Sequence, residues 1–372
     1  MKLLILTQKV DLNDDVLGFF HSWLFEFAKN YEKITVVCLE KGECNLPENV
    51  KIFSLGKEKI RNWKLGIQYN ESWFNNFQFL ISNFSHKIRY ISRFYKLIWK
   101  HRTEYDYIFV HMNPEYVVLG GILWKLWRKK IILWYNHREV NFLAKIAGKL
   151  ANFICYTSPF SFFSAYSKAK LMPVGIDTEL FRRDCKIEKD EKSLFFLGRI
   201  SPVKRIETLI EAAKILRDKG NDFELNIIGA ATEKDTNYLE KLKQFIKKNN
   251  LEEKINFLGS FPNFKTPEIF NKNGIFINMT NSGSMDKTII EAMACETMIL
   301  ICNSSFGDIF SKGMSELLMF EENNSEDLAS KILKLSSLDT LEKTNLGKKL
   351  REIAVNSHDI KITIQAIGDL LK

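Results

Sequence analysis

The sequence predicts two doubly wound α/β domains in series, and three observations carry that reading. Apolar, β-rich runs of roughly four to six residues alternate with helix patterns along nearly the whole chain, as parallel sheets covered on both faces require. The alternation occurs twice, on either side of a charged stretch without periodicity at 177–192. A chain of 372 residues is also too long for one ordinary core and suits two domains of roughly 150–190 residues each. The expected boundaries are 1–176 and 177–357, with a C-terminal helix, 358–372, packing back on the first domain.

In the first half, Leu3–Thr7 is a strand-like run and Gly18–Lys29 a helix pattern. Ile34–Leu39 and Lys51–Leu55 read as strands. Tyr107–His111 is a strand, Pro114–Trp127 a helix, Ile131–Tyr135 a strand, Phe142–Ala151 a helix and Phe153–Thr157 a strand. The second half repeats the theme. Leu194–Leu197 is a strand, followed by an amphipathic helix whose apolar face is Ile206, Leu209, Ile210, Ala213 and Leu216. Leu225–Ile228, Ile255–Leu258, Ile275–Asn278 and Met298–Cys302 read as strands. Asp235–Lys248, Thr288–Cys295, Ser325–Ser336, Leu341–Val355 and Asp359–Leu371 read as helices.

Ligands of such sheets bind at the carboxyl ends of the strands, so a ligand of two facing domains is expected in the cleft between them. That directs attention to Asp11–Gly18, His111, Asn136-His137, Gly198-Arg199, Gly229 and Asn281–Asp286. Gly198-Arg199 with Lys204 offers a planar fork and a point charge near a helix start, a combination suited to a diphosphate. Gly283-Ser284 supplies a tight turn before a helix that carries Glu291. A carboxylate there could accept two ribose hydroxyl protons, or it could simply face solvent. His137 stands at a strand's carboxyl end, where it could line the site or serve as ordinary hydrogen-bonded structure. His111 is balanced between cleft lining and core, and His21, His86, His101 and His358 are assigned to surface or core.

The net charge of +9 implies affinity for some polyanion, be it nucleic acid, anionic lipid or a phosphorylated small molecule. The six cysteines show no metal-ligand spacing, which suits reduced, mostly buried thiols. No signal peptide is read at Met1–Thr7, and Tyr116–Tyr135 carries too many Lys and Arg to cross a membrane. A cytoplasmic protein is expected, peripheral at the inner face of the membrane. Arg61–Arg102 holds eight Lys/Arg, one acidic residue and eleven aromatics. From His86 it looks helical, with Ile88, Ile91, Tyr95 and Ile98 on one face and Arg89, Arg93, Lys96 and Lys100 on an adjacent stripe. Such a segment fits a membrane interface, single-stranded nucleic acid, or a core helix with a solvated basic stripe.

GRISPVKRIETLIEA, IIG, INFLGSF and SGSMDKTIIEAMAC together resemble the second domain of the family 4 (group 1) retaining glycosyltransferases, which have the GT-B fold of two Rossmann-like domains facing a cleft. LGFFHSWLFEFAKN, YIFVHMNPE and IILWYNH agree with that family's first domain. The resemblance implies transfer of a sugar, with retention, from a nucleotide-sugar donor on the second domain to a glycan or lipid-linked acceptor on the first. By position, Arg199 and Lys204 match the pair that holds the donor diphosphate, and Glu291 the residue that holds the ribose. Ser284, Met285 and Asp286 match the loop that meets the donor sugar, Gly18 the glycine near the donor phosphates, and His137 the histidine near the reacting carbon. Gly198 and Gly229 complete the donor side.

The resemblance implies front-face displacement, in which the departing phosphate takes the acceptor's proton. No metal and no cofactor are expected, because protein cations already offset the charge. It also favours an anionic membrane surface or a lipid-linked acceptor at 61–102 over nucleic acid, which is not expected as a partner. One departure stands out: the family's first glutamate falls at Gly283, and Asp286 is expected to substitute. Two further classes fit the same residues. One is an enzyme of this fold acting on the nucleotide sugar itself, such as an epimerase; the other is a non-catalytic or degenerate nucleotide-sugar-binding protein.

Overall fold

The computed structural model describes residues 1–58, 74–283 and 285–372, with backbone alone over 74–85. The segment 61–73 of the basic stretch and Ser284 lie outside the described residues. Contacts divide the chain into two units. The first takes Met1–Tyr156, Phe162–Leu171 and Ala366–Lys372; the second takes Thr157–Ser161 and Met172–Gln365.

The first unit is built from β1 (Lys2–Val10), α1 (Phe19–Asn30), β2 (Lys33–Lys41), β3 (Val50–Ser54), α2 (Phe74–Lys100) and β4 (Tyr107–His111). It continues through α3 (Pro114–Leu126), β5 (Lys130–Trp134), α4 (Phe142–Leu150), β6 (Phe153–Tyr156) and the short β7 (Ala169–Leu171). The strands form one parallel sheet in the order β3-β2-β1-β4-β5-β6-β7. Its central strands carry the unbroken apolar runs Leu3–Leu6, Ile108–Val110 and Ile131–Trp134 because both faces are covered. On one face, Trp23 and Phe27 of α1 pack on Phe109 and Trp134. On the other, Leu4, Leu6, Ile108, Val110, Ile131 and Leu133 meet α2, α3 and α4 through Phe94, Ile98, Trp124, Ala144 and Ala147. The two-residue alternation of the strands decides which side chain serves which layer.

Ile98, read from sequence as part of a stripe with Ile88, Ile91 and Tyr95, belongs instead with Phe94 on the core face of α2. The stripe continues from Tyr95 to Trp99, both exposed. Arg93 leaves the basic stripe as well, since its guanidinium donates to the Leu55 carbonyl at 2.7 Å.

The second unit contains β8 (Asp190–Leu197), α5 (Ile206–Asp218), β9 (Glu224–Ile228), α6 (Thr236–Lys248), β10 (Ile255–Gly259), α7 (Thr266–Lys272) and β11 (Asn273–Asn278). It ends with α8 (Lys287–Ala294), β12 (Met298–Ile301), α9 (Lys312–Leu318), α10 (Ser325–Ser336) and α11 (Thr340–His358); the chain then enters α12 (Ile360–Asp369). Its parallel sheet runs β10-β9-β8-β11-β12. The strand order reverses between β8 and β11, and that is the switch point of a doubly wound sheet. The short helices α7 and α9 carry too few periods for a sequence pattern to show.

The stretch 177–192, read as a linker, lies inside the second unit. Phe181 is buried there, Arg183 binds Asn271 Oδ1 at 3.0 Å and the Ile187 carbonyl at 3.0 Å, and Asp190–Lys192 already belong to β8. A few anchors hold a segment whose composition alone looks unstructured.

Candidate functional site

The switch point of the second sheet collects most of the residues singled out from sequence. After β8 the chain turns at Gly198, whose N–H donates to the Ile228 carbonyl at 2.9 Å. Gly229 follows β9 at φ +141, and a Cβ there would stand 1.8 Å from the Gly198 carbonyl oxygen. Only glycine permits that approach. The two glycines therefore hold the ends of β8 and β9 together, and Arg199 projects from this turn. Its side chain is exposed and has no hydrogen-bond or ion-pair partner among the described residues.

Ser201 is buried, and its hydroxyl has no partner among the described residues. A single 3-10 turn, Pro202–Lys204, then leads through Arg205 (φ 46) into α5.

Lys204 reaches across to the end of β11. Its ammonium donates to Asp286 Oδ2 at 2.7 Å and to Thr280 Oγ1 at 2.8 Å. The Asp286 carboxylate also accepts from Asn278 Nδ2, Thr280 Oγ1 and Thr288 Oγ1, at 3.2, 2.9 and 2.9 Å. It caps α8 as well, accepting from the Thr288 N–H at 3.2 Å. Burial alone would raise its pKa, but Lys204 and these donors hold the carboxyl far below the usual range. The sequence reading made Asp286 a stand-in for the missing glutamate at Gly283. In the structure this carboxylate pairs with Lys204 and caps α8. Gly283 is at φ +125, and its N–H donates to Ser305 Oγ at 3.2 Å.

Next to this knot, Asn281 Oδ1 is buried without a partner among the described residues. Ser282 gives its N–H and hydroxyl to Glu322, which also faces Arg205 at 3.7 Å. Met285 packs against the core of the unit. One turn along α8, Glu291 is 3% exposed and accepts from Asn263 Nδ2 at 3.2 Å. Burial pushes its carboxyl up to about 7 and pushes the neighbouring Lys287 ammonium down, while their mutual attraction opposes both shifts. Lys287 donates to the Val174 carbonyl at 3.0 Å.

Asn263, Asn278, Thr280 and Ser201 are not singled out by the sequence, whereas Asn281 falls in the 281–286 stretch that it flags. Asn278 carried a signal, being a polar residue at the end of a strand that is otherwise fully buried.

Gly18 and His137 belong to the first unit. Gly18 is the buried N-cap of α1 at φ −55, a conformation open to any residue. Before it, Asp14 accepts from the N–H groups of Val16 and Leu17 and pairs with Lys9 at 2.6 Å. His137 is exposed beyond β5, with its ring edge-on to Tyr135 at 5.0 Å and its pKa lowered by desolvation. His111 is core: it lies 3% exposed beneath Phe20, with ring centroids 4.5 Å apart. Among the described residues no cluster of His, Cys, Asp and Glu could hold a metal ion, and no helix is long and apolar enough to cross a membrane.

Residues 177–354 match the family described as glycosyl transferases group 1. The match falls within the second unit, which is thus similar to that family's domain. An uncharacterized glycosyltransferase of Methanocaldococcus jannaschii is 30% identical over 168 residues, 45% of this chain and 44% of that protein. The poly(ribitol-phosphate) alpha-N-acetylglucosaminyltransferase of Staphylococcus aureus is 26% identical over 177 residues, 47% of this chain and 34% of that protein. The chain thus matches less than half the length of these curated relatives. Among solved structures, HepE of Anabaena in complex with UDP and glucose matches at a TM-score of 0.75 and 18% identity, over 100% of this chain and 99% of that one. Sucrose-phosphate synthase from Thermosynechococcus elongatus matches at 0.75 and 14%, over 100% and 98%. At such identities the likeness is one of fold, and the fold is GT-B.

Proposed function

We propose that this protein transfers a sugar from a nucleotide-sugar donor to an acceptor hydroxyl, with retention at the anomeric carbon. The observation that carries the reading is Arg199. It is an exposed cation without a partner, beside the orphaned Ser201 and near the orphaned Asn281, at the switch point of a domain similar to the group 1 glycosyltransferases. Buried polar atoms without partners are rare, and one two positions from a free guanidinium, with a second past the end of the neighbouring strand β11, suits a polar, anionic ligand. In this reading Arg199 forks onto the donor diphosphate and Lys204 adds a second charge. Glu291 takes the ribose hydroxyls, and the 283–286 loop meets the sugar.

The bond from the anomeric carbon to phosphate stretches, an oxocarbenium-like centre forms, and the acceptor hydroxyl attacks from the same side. The leaving phosphate oxygen takes the hydroxyl proton. Charge developing on the diphosphate is offset by protein cations, so no metal and no cofactor are assigned a step. Losing one such contact costs about 2–4 kcal/mol of transition-state stabilisation.

The first unit supports an acceptor with an apolar part. A pocket of about 410 Å³ lies there, lined by Leu39, Leu55, Tyr90, Phe94, Tyr116 and Leu143, with Lys87 beside them. This favours a lipid-linked glycan over a free one, with the protein peripheral at the inner face of the membrane.

The test is thermal stabilisation by free nucleoside diphosphates, beginning with UDP because the HepE structure holds it. A ligand at 100 times its dissociation constant adds about 2.7 kcal/mol. Arg199→Ala removes no partner, so it should melt like the wild type without ligand and lose that stabilisation. Equal stabilisation of both proteins would remove Arg199 from the site. Binding without turnover, even as slow hydrolysis, would move the weight to the degenerate binding protein that Gly283 suggests.

A further inference from the structure

We propose that α2 and α3 together form a docking face for an anionic lipid bilayer. The inference is independent of the donor chemistry. Ile88, Ile91, Tyr95 and Trp99 follow the three- and four-residue spacing that places them on one side of α2. α3 lies against that side. The Tyr95 hydroxyl donates to the Leu119 carbonyl at 2.9 Å, and the Trp99 ring meets Trp127 edge-on at 5.6 Å. A shallow groove between the helices is lined by Tyr95, Trp99 and Leu123.

The outward residues of the pair are apolar where a water-facing surface should be polar. Ile88, Trp99, Ile122 and Leu126 are 52%, 55%, 63% and 72% exposed. Four large side chains so exposed on two neighbouring helices lose free energy in water that an apolar partner would return.

Charge identifies the partner. From His86 to Arg102 the chain holds six Lys/Arg and no Asp or Glu. Arg89, Lys96, Lys100 and Arg102 are exposed on α2 and its end, and Lys125 and Arg128 are exposed on α3 and its end. Long basic side chains beside Trp, Tyr and aliphatic residues can lay their stems along the apolar patch and keep their charges at the headgroups. This is the composition of an interfacial element that binds anionic lipid. Single-stranded nucleic acid fits less well. The Trp99 ring already carries the Arg102 guanidinium at 5.1 Å and the edge of Trp127, and isoleucine and leucine offer bases nothing to stack on.

The test uses the full chain in co-sedimentation with phosphatidylcholine vesicles, with and without phosphatidylglycerol. The wild type should bind only the anionic vesicles, more weakly as salt rises. Lys96→Gln/Lys100→Gln should weaken binding by about fivefold per lysine, the ratio that about 1 kcal/mol per basic residue gives. Ile122→Ser/Leu126→Ser, at exposed positions, should keep the melting temperature and weaken binding by about tenfold or more. Equal binding to both vesicle types, no binding to either, or unchanged binding by Ile122→Ser/Leu126→Ser would each overturn the proposal. So would self-association that the serine pair abolishes, or oligonucleotide affinity exceeding that for anionic vesicles.

Discussion

Replacing Lys204 by methionine tests the polar knot at the end of β11 directly. The Lys204–Asp286 contact is 2.7 Å long, and its side chains are only 17% and 15% exposed. At 2.7 Å and an effective dielectric of about 20, the gross attraction is about 6 kcal/mol, most of it offset by desolvation of the two groups. Removing one partner of a fully buried pair typically costs about 3–5 kcal/mol. Asp286 would keep its donors from Asn278, Thr280 and Thr288, so the expected loss is lower, about 2–3 kcal/mol. In a unit of this size that lowers the melting temperature by roughly 5–10 °C.

Asp286→Asn keeps a capping side chain and removes the charge, so a double-mutant cycle at pH 7 should show the two substitutions to be non-additive. The Asp286 carboxyl titrates below its usual value of 3.8 in the folded protein. The pair's contribution is therefore complete above that value and fades as pH falls beneath it. Thermal unfolding at pH 7, 5 and 3.5 should give a wild-type advantage over Lys204→Met that is constant between the first two and smaller at the third. A melting point within about 1 °C of wild type at pH 7, or an additive cycle, would refute the reasoning.

Three further substitutions probe other links. Burial raises the Glu291 carboxyl to about 7, so UDP affinity should fall with pH below about 7 if the carboxylate accepts ribose hydroxyls, and Glu291→Gln should be weaker and flat across pH 6–8 by calorimetry. Gly283→Glu, which restores the family's residue, should lower stability by about 2 kcal/mol or more and not raise turnover, because Gly283 is at φ +125 in a buried turn. His358 accepts the Val174 N–H at 3.3 Å, and burial lowers its pKa from 6.5 to about 4. Its contribution is whole above the unfolded value and lost as pH falls toward the folded one, so the wild type should lose about 2 kcal/mol more than His358→Gln between pH 7 and 4.5 in urea titrations.

Parallel sheets announce themselves in sequence because strands buried on both faces must be apolar throughout, as Leu3–Leu6 and Ile131–Trp134 are. That period is what made the architecture legible. Function at the switch point was legible only as residue types. Arg199 and Lys204 look alike in sequence, because the carboxylate that takes Lys204 lies 82 positions away at the cap of α8. Asn278 and Thr280 meet the same carboxylate from eight and six positions away, across a turn whose course no periodicity announces. The stretch 177–192 misled for the opposite reason: its charges are conspicuous, while Phe181 and Arg183 fasten it through contacts that no local pattern records. His111 shows that a strand end is not automatically solvent-facing, since the last residue of β4 still pairs with Trp134 and lies under α1.

The charge of the candidate site is smaller than its lysines and arginines suggest. Lys204 is matched by Asp286 and Arg205 faces Glu322, so Arg199 is the cation left uncompensated among these three. The start of α8 adds less than a free helix N-terminus would, because the Asp286 carboxylate already caps it. A diphosphate that draws on Lys204 must compete with Asp286 for it. If it succeeds, the carboxylate loses its principal partner next to the turn where Gly283 has no side chain to offer, and a sugar hydroxyl is the donor at hand to replace it. Phosphate binding and sugar recognition would then be coupled through one ion pair. A nucleoside diphosphate alone should therefore bind less well than its charge implies, and the intact nucleotide sugar should recover the difference.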